Sequence, residues 1–519
     1  MQLTSQQLKD DSVTKDKVIA LLEEANQRAN RLEEQIIWLK RQVFGRSSEK
    51  TSKEELSPNQ GYLFNEVEVI NEVCPEPDES LVIPEHKRKK KGRKKISQDL
   101  PRVEVIHDLP EHEKFCSKDG SPLKRIGEIT SEQVDYIPAK VRVLKHIRYK
   151  YACSCCSETI KTADKPKTLL PKSLASPSLL AHITTAKYVD GLPLYRQEKQ
   201  FARLGIQLNR STMASWMIKI GGTHVQPLIN LLDEECRKSR LLHIDETRVQ
   251  VLKSHKSPSA DHWIWVRANG ATERSVVLFD YDASRTKVVA EQLLDEFSGV
   301  LVSDGYSAYN GIAKDQALPH AGCWAHVRRK FYDAHKSSKG TSETAKTALK
   351  SIKDLYKVER RCRELYPYNG DRDKEKERQR EKDILAFRKK HCEPILKVFK
   401  AWLDRMAPKA VPSNDIGKAL QYAFNQWPKL ITFMGNAIAP LDNNRAEGAI
   451  RPFVIGRRNW MFCDTQKGAR ASANLYSLVE TAKANGLEPH AYLTEVYERL
   501  PLATSLEDVE ALLPWNLPR

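Results

Sequence analysis

Between Leu241 and Phe331 the hydrophobic pattern changes period several times, and the order of those changes restricts the fold more than any other stretch. Leu241 to Val251 reads as a strand, and His262 to Arg267 and Ser275 to Asp280 read as a second and third. Val288, Val289, Leu293, Leu294 and Phe297 then recur at helical spacing. Val300 to Ser303 is a fourth strand and Ala317 to Gly322 a short fifth, leading into a helix that begins near Cys323.

Three strands, a helix, a strand, a helix, a strand and a helix is the element order of the ribonuclease H-like α/β fold, in which central strands carry two carboxylates side by side. Asp245 lies in the first strand, Asp304 ends the fourth just before Gly305, and Glu447 falls in Asp442-Asn443-Asn444-Arg445-Ala446-Glu447, which opens like a capped helix. Neighbours on a strand point to opposite faces, so Asp245 rather than Glu246 is expected to face the site. Three such carboxylates can converge on two Mg²⁺ ions roughly 3.5–4 Å apart, which activate a water or 3′-hydroxyl and stabilise the leaving oxygen of a phosphodiester. The aspartates are 59 positions apart, whereas Asp304 and Glu447 are separated by 143. An all-helical, highly charged insertion over about 337–436, within a catalytic domain spanning 237–490, is the simplest account of that gap; 491–519 is a tail.

At 519 residues the chain has room for three or four domains, and its net charge of +17 favours a polyanionic partner, nucleic acid first. A merely basic soluble protein is the plainer alternative. No apolar run approaches the roughly 18 residues that a membrane helix needs. Met1 to Ser5 lacks the charged and apolar regions of a secretory signal. The ten cysteines are scattered except at 153–156, which suits a reducing cytoplasm.

Upstream of the strands the chain reads as a series of segments. Over 1–50, Val18, Leu22, Ala25, Ala29, Leu32, Ile36, Leu39 and Val43 form a heptad seam, expected to be a coiled coil that joins copies of the chain; a helix packing on its own chain is the alternative. Residues 51–110 read as a linker holding eight cations in nine residues from Lys87 to Lys95, with Lys89, Lys90, Lys91 and Arg93 placed to lie on phosphates. In 111–170, Cys116 and Asp119 form one knuckle and Cys153 and Cys156 another, the layout of a small ribbon able to hold structural Zn²⁺ or to stand by packing alone. In 171–236 three helices with a turn at Gly205 read as a helix-turn-helix whose last helix is capped by serine. Asn209, Arg210, Ser211 and Thr212 then lie at the DNA-facing end. Beyond Glu447, Arg451, Arg457 and Arg458 are candidate phosphate contacts, and Phe453 and Trp460 suit either base stacking or the core.

Several strings in this order resemble the transposases of the insertion sequence 66 family: His243-Ile244-Asp245-Glu246-Thr247, Ser303-Asp304-Gly305-Tyr306, Gly322-Cys323-Trp324-Ala325-His326-Val327-Arg328-Arg329 and Asp442 to Glu447, with Phe44-Gly45-Arg46-Ser47-Ser48, Leu192-Pro193-Leu194-Tyr195 and Ile455-Gly456-Arg457-Arg458-Asn459-Trp460. The resemblance runs nearly end to end. It implies a DDE transposase with a leucine zipper, a zinc-finger-like module, a helix-turn-helix region and a ribonuclease H-like core, with Asp245, Asp304 and Glu447 as the acidic triad. Cys323 and His326 match a C-x₂-H signature and are assigned a supporting role beside it. The chain departs from the family pattern at Asp119, where a cysteine is usual, and at Gly448, where a larger residue is usual. The implied activity is Mg²⁺-dependent cleavage at terminal inverted repeats followed by strand transfer into target DNA. It would be carried out in the bacterial cytoplasm at the nucleoid by a homo-oligomer, alongside small accessory proteins of the same element. A DNA-binding repressor without catalysis and a stand-alone nuclease are the alternatives.

Overall fold

The computed structural model describes residues 160–270, 274–338, 341–367 and 373–518, with 141–152 and the isolated positions 103, 110, 121, 122 and 133. The chain divides into two compact units, Met1–Gln133 and Val134–Arg519, and every element below belongs to the second. The expected coiled coil, the basic residues Lys89, Lys90, Lys91 and Arg93, and the candidate ligands Cys116, Asp119, Cys153 and Cys156 lie outside the described residues. On either side of the second cysteine group, β1 (Lys150–Ala152) and β2 (Ile160–Thr162) pair antiparallel, with Lys150 opposite Thr162.

Four helices come next: α1 (Pro177–Tyr188), α2 (Leu194–Arg203), α3 (Arg210–Lys219) and α4 (Gln226–Arg237). Ser176 caps α1 by accepting the Leu179 N–H at 3.2 Å, and Pro177 sits where a missing N–H costs nothing. The turn between α2 and α3 uses Gly205 at φ +81°, a conformation that side chains resist. The serine cap expected for α3 is not formed. Asn209 holds the cap position without a side-chain bond, and Glu198 on α2 accepts the Arg210 N–H at 3.1 Å, so the neighbouring helix satisfies a first-turn donor.

The central sheet contains β3 (Leu241–Lys253), β4 (Asp261–Asn269), β5 (Val277–Asp282), β6 (Val300–Val302) and β7 (His320–Ala321), in the order β5-β4-β3-β6-β7. The first three run antiparallel, whereas β6 and β7 run parallel to β3. Helices α5 (Lys287–Leu293) and α6 (Ser307–Asp315) fill the connections, and α7 (Trp324–Ser337) follows β7. This is the anticipated order, but β7 is only two residues long. The next donor, the Gly322 N–H, leaves the sheet for the Lys429 carbonyl at 3.0 Å.

Between α7 and the helix of Glu447 the described residues fold into α8 (Glu343–Leu365), α9 (Lys374–His391), α10 (Glu393–Met406) and α11 (Asp415–Leu430). The chain then returns through α12 (Asn444–Trp460) and β8 (Cys463–Thr465), which pairs parallel with the far end of β3, before α13 (Gln466–Ala484), α14 (Pro489–Arg499) and the short α15 (Leu506–Glu510). Strand alternation splits the interior in two: Val300 and Val302 of β6 enter the core shared with α7, α8, α10 and α11, and Leu301 enters the core shared with α1, α4 and α13.

Two polar devices close this architecture. Arg388 of α9 is buried and donates to Glu359 of α8 at 2.5 and 3.0 Å, and to the carbonyls of Phe433, Asn436, Ala437 and Ala439 at 2.8 to 3.2 Å. One guanidinium thus pins the return segment of the chain to the inserted helices. Ser477 and Thr481 of α13 and Asn485 at its C-terminal cap recur every four residues and face the edge strand β5 and the residues just before it. They accept the N–H groups of Phe279, Val277 and Ser275 at 2.8, 3.1 and 3.2 Å. Thr481 and Asn485 also donate back to the Val277 and Ser275 carbonyls at 2.9 and 2.7 Å. Among the described residues no helix is long and apolar enough to cross a membrane.

Candidate active site

The parallel register of β3 and β6 pairs His243 with Val302. Asp245 and Asp304 each lie two residues beyond that pair, so the strands carry them to the same level. Asp245 Oδ1 accepts the Glu246 N–H at 2.9 Å, and Asp304 Oδ1 accepts the Tyr306 N–H at 2.9 Å. Glu246 is directed elsewhere: its side chain is 1% exposed, Arg285 Nε donates to it at 2.7 Å and the Tyr309 hydroxyl at 2.5 Å. That pairing accounts for the second carboxylate of the strand, and Asp245 lies within electrostatic reach of Glu246, Glu447 and Asp304.

Glu447 is held by one face of α7. Cys323, His326 and Arg329 recur every three residues and therefore project together. Cys323 Sγ lies 3.7 Å and His326 Nδ1 3.4 Å from Glu447 Oε1, while Arg329 Nη2 donates to Oε2 at 3.2 Å. Cys323 and His326 stand out in the sequence as a C-x₂-H pair, whereas Arg329 carries no such mark beyond its spacing of three from His326.

The link between Glu447 and the strands is Asn443. It occupies the cap position of α12, but its side chain makes no capping bond; of the expected Asp442-Asn443-Asn444 cap, Asp442 Oδ1 accepts the Asn444 N–H at 3.2 Å. The buried Asn443 amide is spent on β3 instead: Nδ2 donates to the Ile244 carbonyl at 2.9 Å, and Oδ1 lies 2.9 Å from His243 Nδ1. Since Nδ2 is the donor to Ile244, Oδ1 accepts, and the imidazole carries its proton on Nδ1. Burial lowers His243 to about 4, so the ring is neutral. The Asn443 N–H donates to Cys323 Sγ at 3.3 Å. Next to it, Asp442 accepts the hydroxyl of Tyr356 on α8 at 2.9 Å.

On the Asp304 side the approach of α11 is close. A Cβ on Gly305 would stand 2.8 Å from Tyr422 Cε2, so only glycine allows this contact. Burial lowers the Lys429 ammonium to about 8, and the negative charge of Asp304 opposes that shift. The Asp245 carboxyl is pushed well above the usual carboxylate range, first by burial and then by the charges of Glu246, Glu447 and Asp304. Hard oxygen donors repelling one another in this way fit a divalent cation such as Mg²⁺.

The expected nucleic-acid contacts are placed unevenly. Asn209, Arg210 and Ser211 are exposed at the start of α3, with Thr212 half-buried behind them. On α12, Arg458 is exposed and Arg451 half-buried, whereas Arg457 turns onto β3, donating to the Arg248 carbonyl and to Thr247 Oγ1 at 3.2 Å. Phe453 is fully buried and packs edge-on with Trp460 at 5.5 Å, so this pair belongs to the core rather than to a stacking surface.

Comparison with known proteins bears on the whole chain. Residues 172–471 match the transposase IS66 family, 113–157 the zinc-finger binding domain of transposase IS66, 477–515 the IS66 C-terminal element, and 31–105 a region described as transposase C of IS166 homeodomain. Among curated relatives, the uncharacterized protein y4qI of Sinorhizobium fredii (strain NBRC 101917 / NGR234) is 31% identical over 510 residues, 96% of this chain and 90% of its own length. The uncharacterized protein y4jD of the same organism is 31% identical over 434 residues, 81% of each chain. Those relatives bring no assigned activity, but the family matches follow one another along the sequence and the largest spans more than half of it: the chain belongs to the IS66 transposase family.

Proposed function

We propose that the protein is a DDE transposase with a ribonuclease H-like core, which binds the terminal inverted repeats of its element, cleaves there and joins the freed ends to target DNA. The observation that carries this reading is the buried carboxyl of Asp245 on β3, within electrostatic reach of Asp304 just past β6 and of Glu447 on α12. The strand order β5-β4-β3-β6-β7, with the first three antiparallel and the rest parallel, supports the fold assignment.

Asp245, Asp304 and Glu447 would hold two Mg²⁺ ions, which when bound activate the attacking hydroxyl and stabilise the leaving oxygen. The chain's own groups supply the rest. Neighbouring backbone N–H groups fix both aspartates, and Arg329 orients Glu447 through its outer oxygen. The exposed start of α3, together with Arg451 and Arg458, is suited to positioning phosphates. A homo-oligomer assembled through the N-terminal heptads, structural Zn²⁺ in the cysteine module, accessory proteins of the same element, and action at the nucleoid in the cytoplasm complete the proposal.

The test is a joining assay with Mg²⁺ on DNA carrying the element's ends. Cleavage and joining are expected. Binding without cutting would assign the protein to the repressors, and cutting without joining to the nucleases.

A further inference from the structure

We propose that Cys323, His326 and Glu447 form a binding site for a thiophilic divalent cation, Zn²⁺, distinct in chemistry from the paired aspartates. Three independent observations support it. The first is spacing. Cys323 Sγ and Glu447 Oε1 are 3.7 Å apart, His326 Nδ1 and Oε1 are 3.4 Å apart, and one donor atom from each residue lies within 4.8 Å of the other two. Around tetrahedral zinc, with bonds of about 2.3 Å to sulfur and about 2.0–2.1 Å to nitrogen and oxygen, ligand atoms stand roughly 3.3–3.6 Å from one another. The three donors are therefore already close to the edges of such a tetrahedron.

The second observation is the surroundings of the sulfur. Cys323 holds the cap position of α7, and its Sγ accepts the backbone N–H of Asn443 at 3.3 Å and that of His326. These two donors hold Sγ in place beside Glu447, while burial and the charges of Glu447 and Asp442 push the thiol well above its usual range, so its proton leaves only as a cation takes its place. The third is the histidine. His326 Nδ1 is buried and makes no hydrogen bond, although a carboxylate oxygen lies 3.4 Å away. A cation among the three atoms would satisfy it. Arg329 takes only Oε2 of Glu447, which leaves Oε1 for the metal.

Sulfur, nitrogen and oxygen together select zinc over Mg²⁺, which prefers oxygen alone. Binding releases the thiol proton to solvent and leaves one coordination position for water. A regulatory consequence rests on the proposed role of Glu447. Zinc here holds Oε1 beside Cys323 and His326 rather than beside Asp245 and Asp304, so it restrains Mg²⁺-dependent joining.

The experiment uses the full-length chain, stripped of metal and reloaded with Co²⁺ as a spectroscopic probe. Cys323→Ser and His326→Gln are each expected to bind one metal equivalent fewer per chain than the wild type. Cys323→Ser should also lose part of the thiolate-to-cobalt absorption. Wild-type stoichiometry in His326→Gln overturns the site, whatever becomes of the folding of Cys323→Ser. In parallel, added Zn²⁺ should slow Mg²⁺-dependent joining by the wild type more than joining by His326→Gln, and equal inhibition of both overturns the regulatory role. If no preparation joins ends, the proposed function fails while the cobalt titration still judges the metal site.

Discussion

The side-chain amide of Asn443 donates to the carbonyl of Ile244 across 2.9 Å and so ties the start of α12 to the strand residue just before Asp245. Glu447 lies one helical turn further on, and its own N–H bonds to the Asn443 carbonyl at 3.1 Å. This bond therefore sets the distance between the glutamate and the aspartates. In Asn443→Leu the Ile244 carbonyl and His243 Nδ1 lose their buried partner, at an expected cost of about 1–3 kcal/mol. Urea unfolding measures that loss, and joining should fall with it. An unchanged urea midpoint would show that the tie contributes nothing.

Asp245→Asn and Asp304→Asn should each reduce joining by roughly a hundredfold or more while DNA-end binding persists. Asp245 adds a second readout. Its carboxyl is pushed up by burial and by three neighbouring negative charges, so ionisation there opposes folding when no metal is bound. The asparagine variant should melt at a higher temperature than the wild type in metal-free buffer at pH 7. A lower melting temperature would contradict the repulsion described for this carboxylate.

Removing Arg388 strands the buried charge of Glu359 and four backbone carbonyls. Breaking a buried pair of this kind costs about 3–5 kcal/mol. Arg388→Met should lose most of that in chemical denaturation, and the double variant Arg388→Met with Glu359→Met should recover part of it. If the single variant is as stable as the wild type, the guanidinium does not anchor the return segment.

His320 provides a pH test. Burial, helped by the charge of Lys429, lowers it from 6.5 to about 3, and Ser303 Oγ lies 2.8 Å from its Nε2. A histidine depressed in the folded state binds fewer protons than its unfolded counterpart, so its contribution is complete above pH 6.5 and declines as the pH falls toward 3. At pH 5 the loss should be about 2 kcal/mol. Denaturation at pH 7 and pH 5 measures it, and His320→Asn should flatten the difference.

The strands were legible because a short buried strand leaves a strong local signature, and Glu246, which the alternation on β3 separates from Asp245, is taken by Arg285 and Tyr309. The serine cap expected for α3 and the share of the α12 cap expected from Asn443 gave way for one shared reason. Asparagine and serine beside a helix start are read as serving that helix, but the partners that took over, Glu198 for the Arg210 N–H and the Ile244 carbonyl for Asn443, are brought in by tertiary packing. The stacking role weighed for Phe453 and Trp460 gave way to core packing, since an aromatic among arginines has the same pattern in either setting. Arg388 was hidden for another reason: in a run of charges a buried arginine is indistinguishable from its solvated neighbours until the carbonyls around it are known.

Ser477 and Thr481 of α13, with Asn485 just past its end, take the N–H groups of Phe279, Val277 and Ser275, so this stretch of the sheet's border offers no free template on which another polypeptide could lay a strand. A second polypeptide would have to displace those side chains before its own strand could pair there.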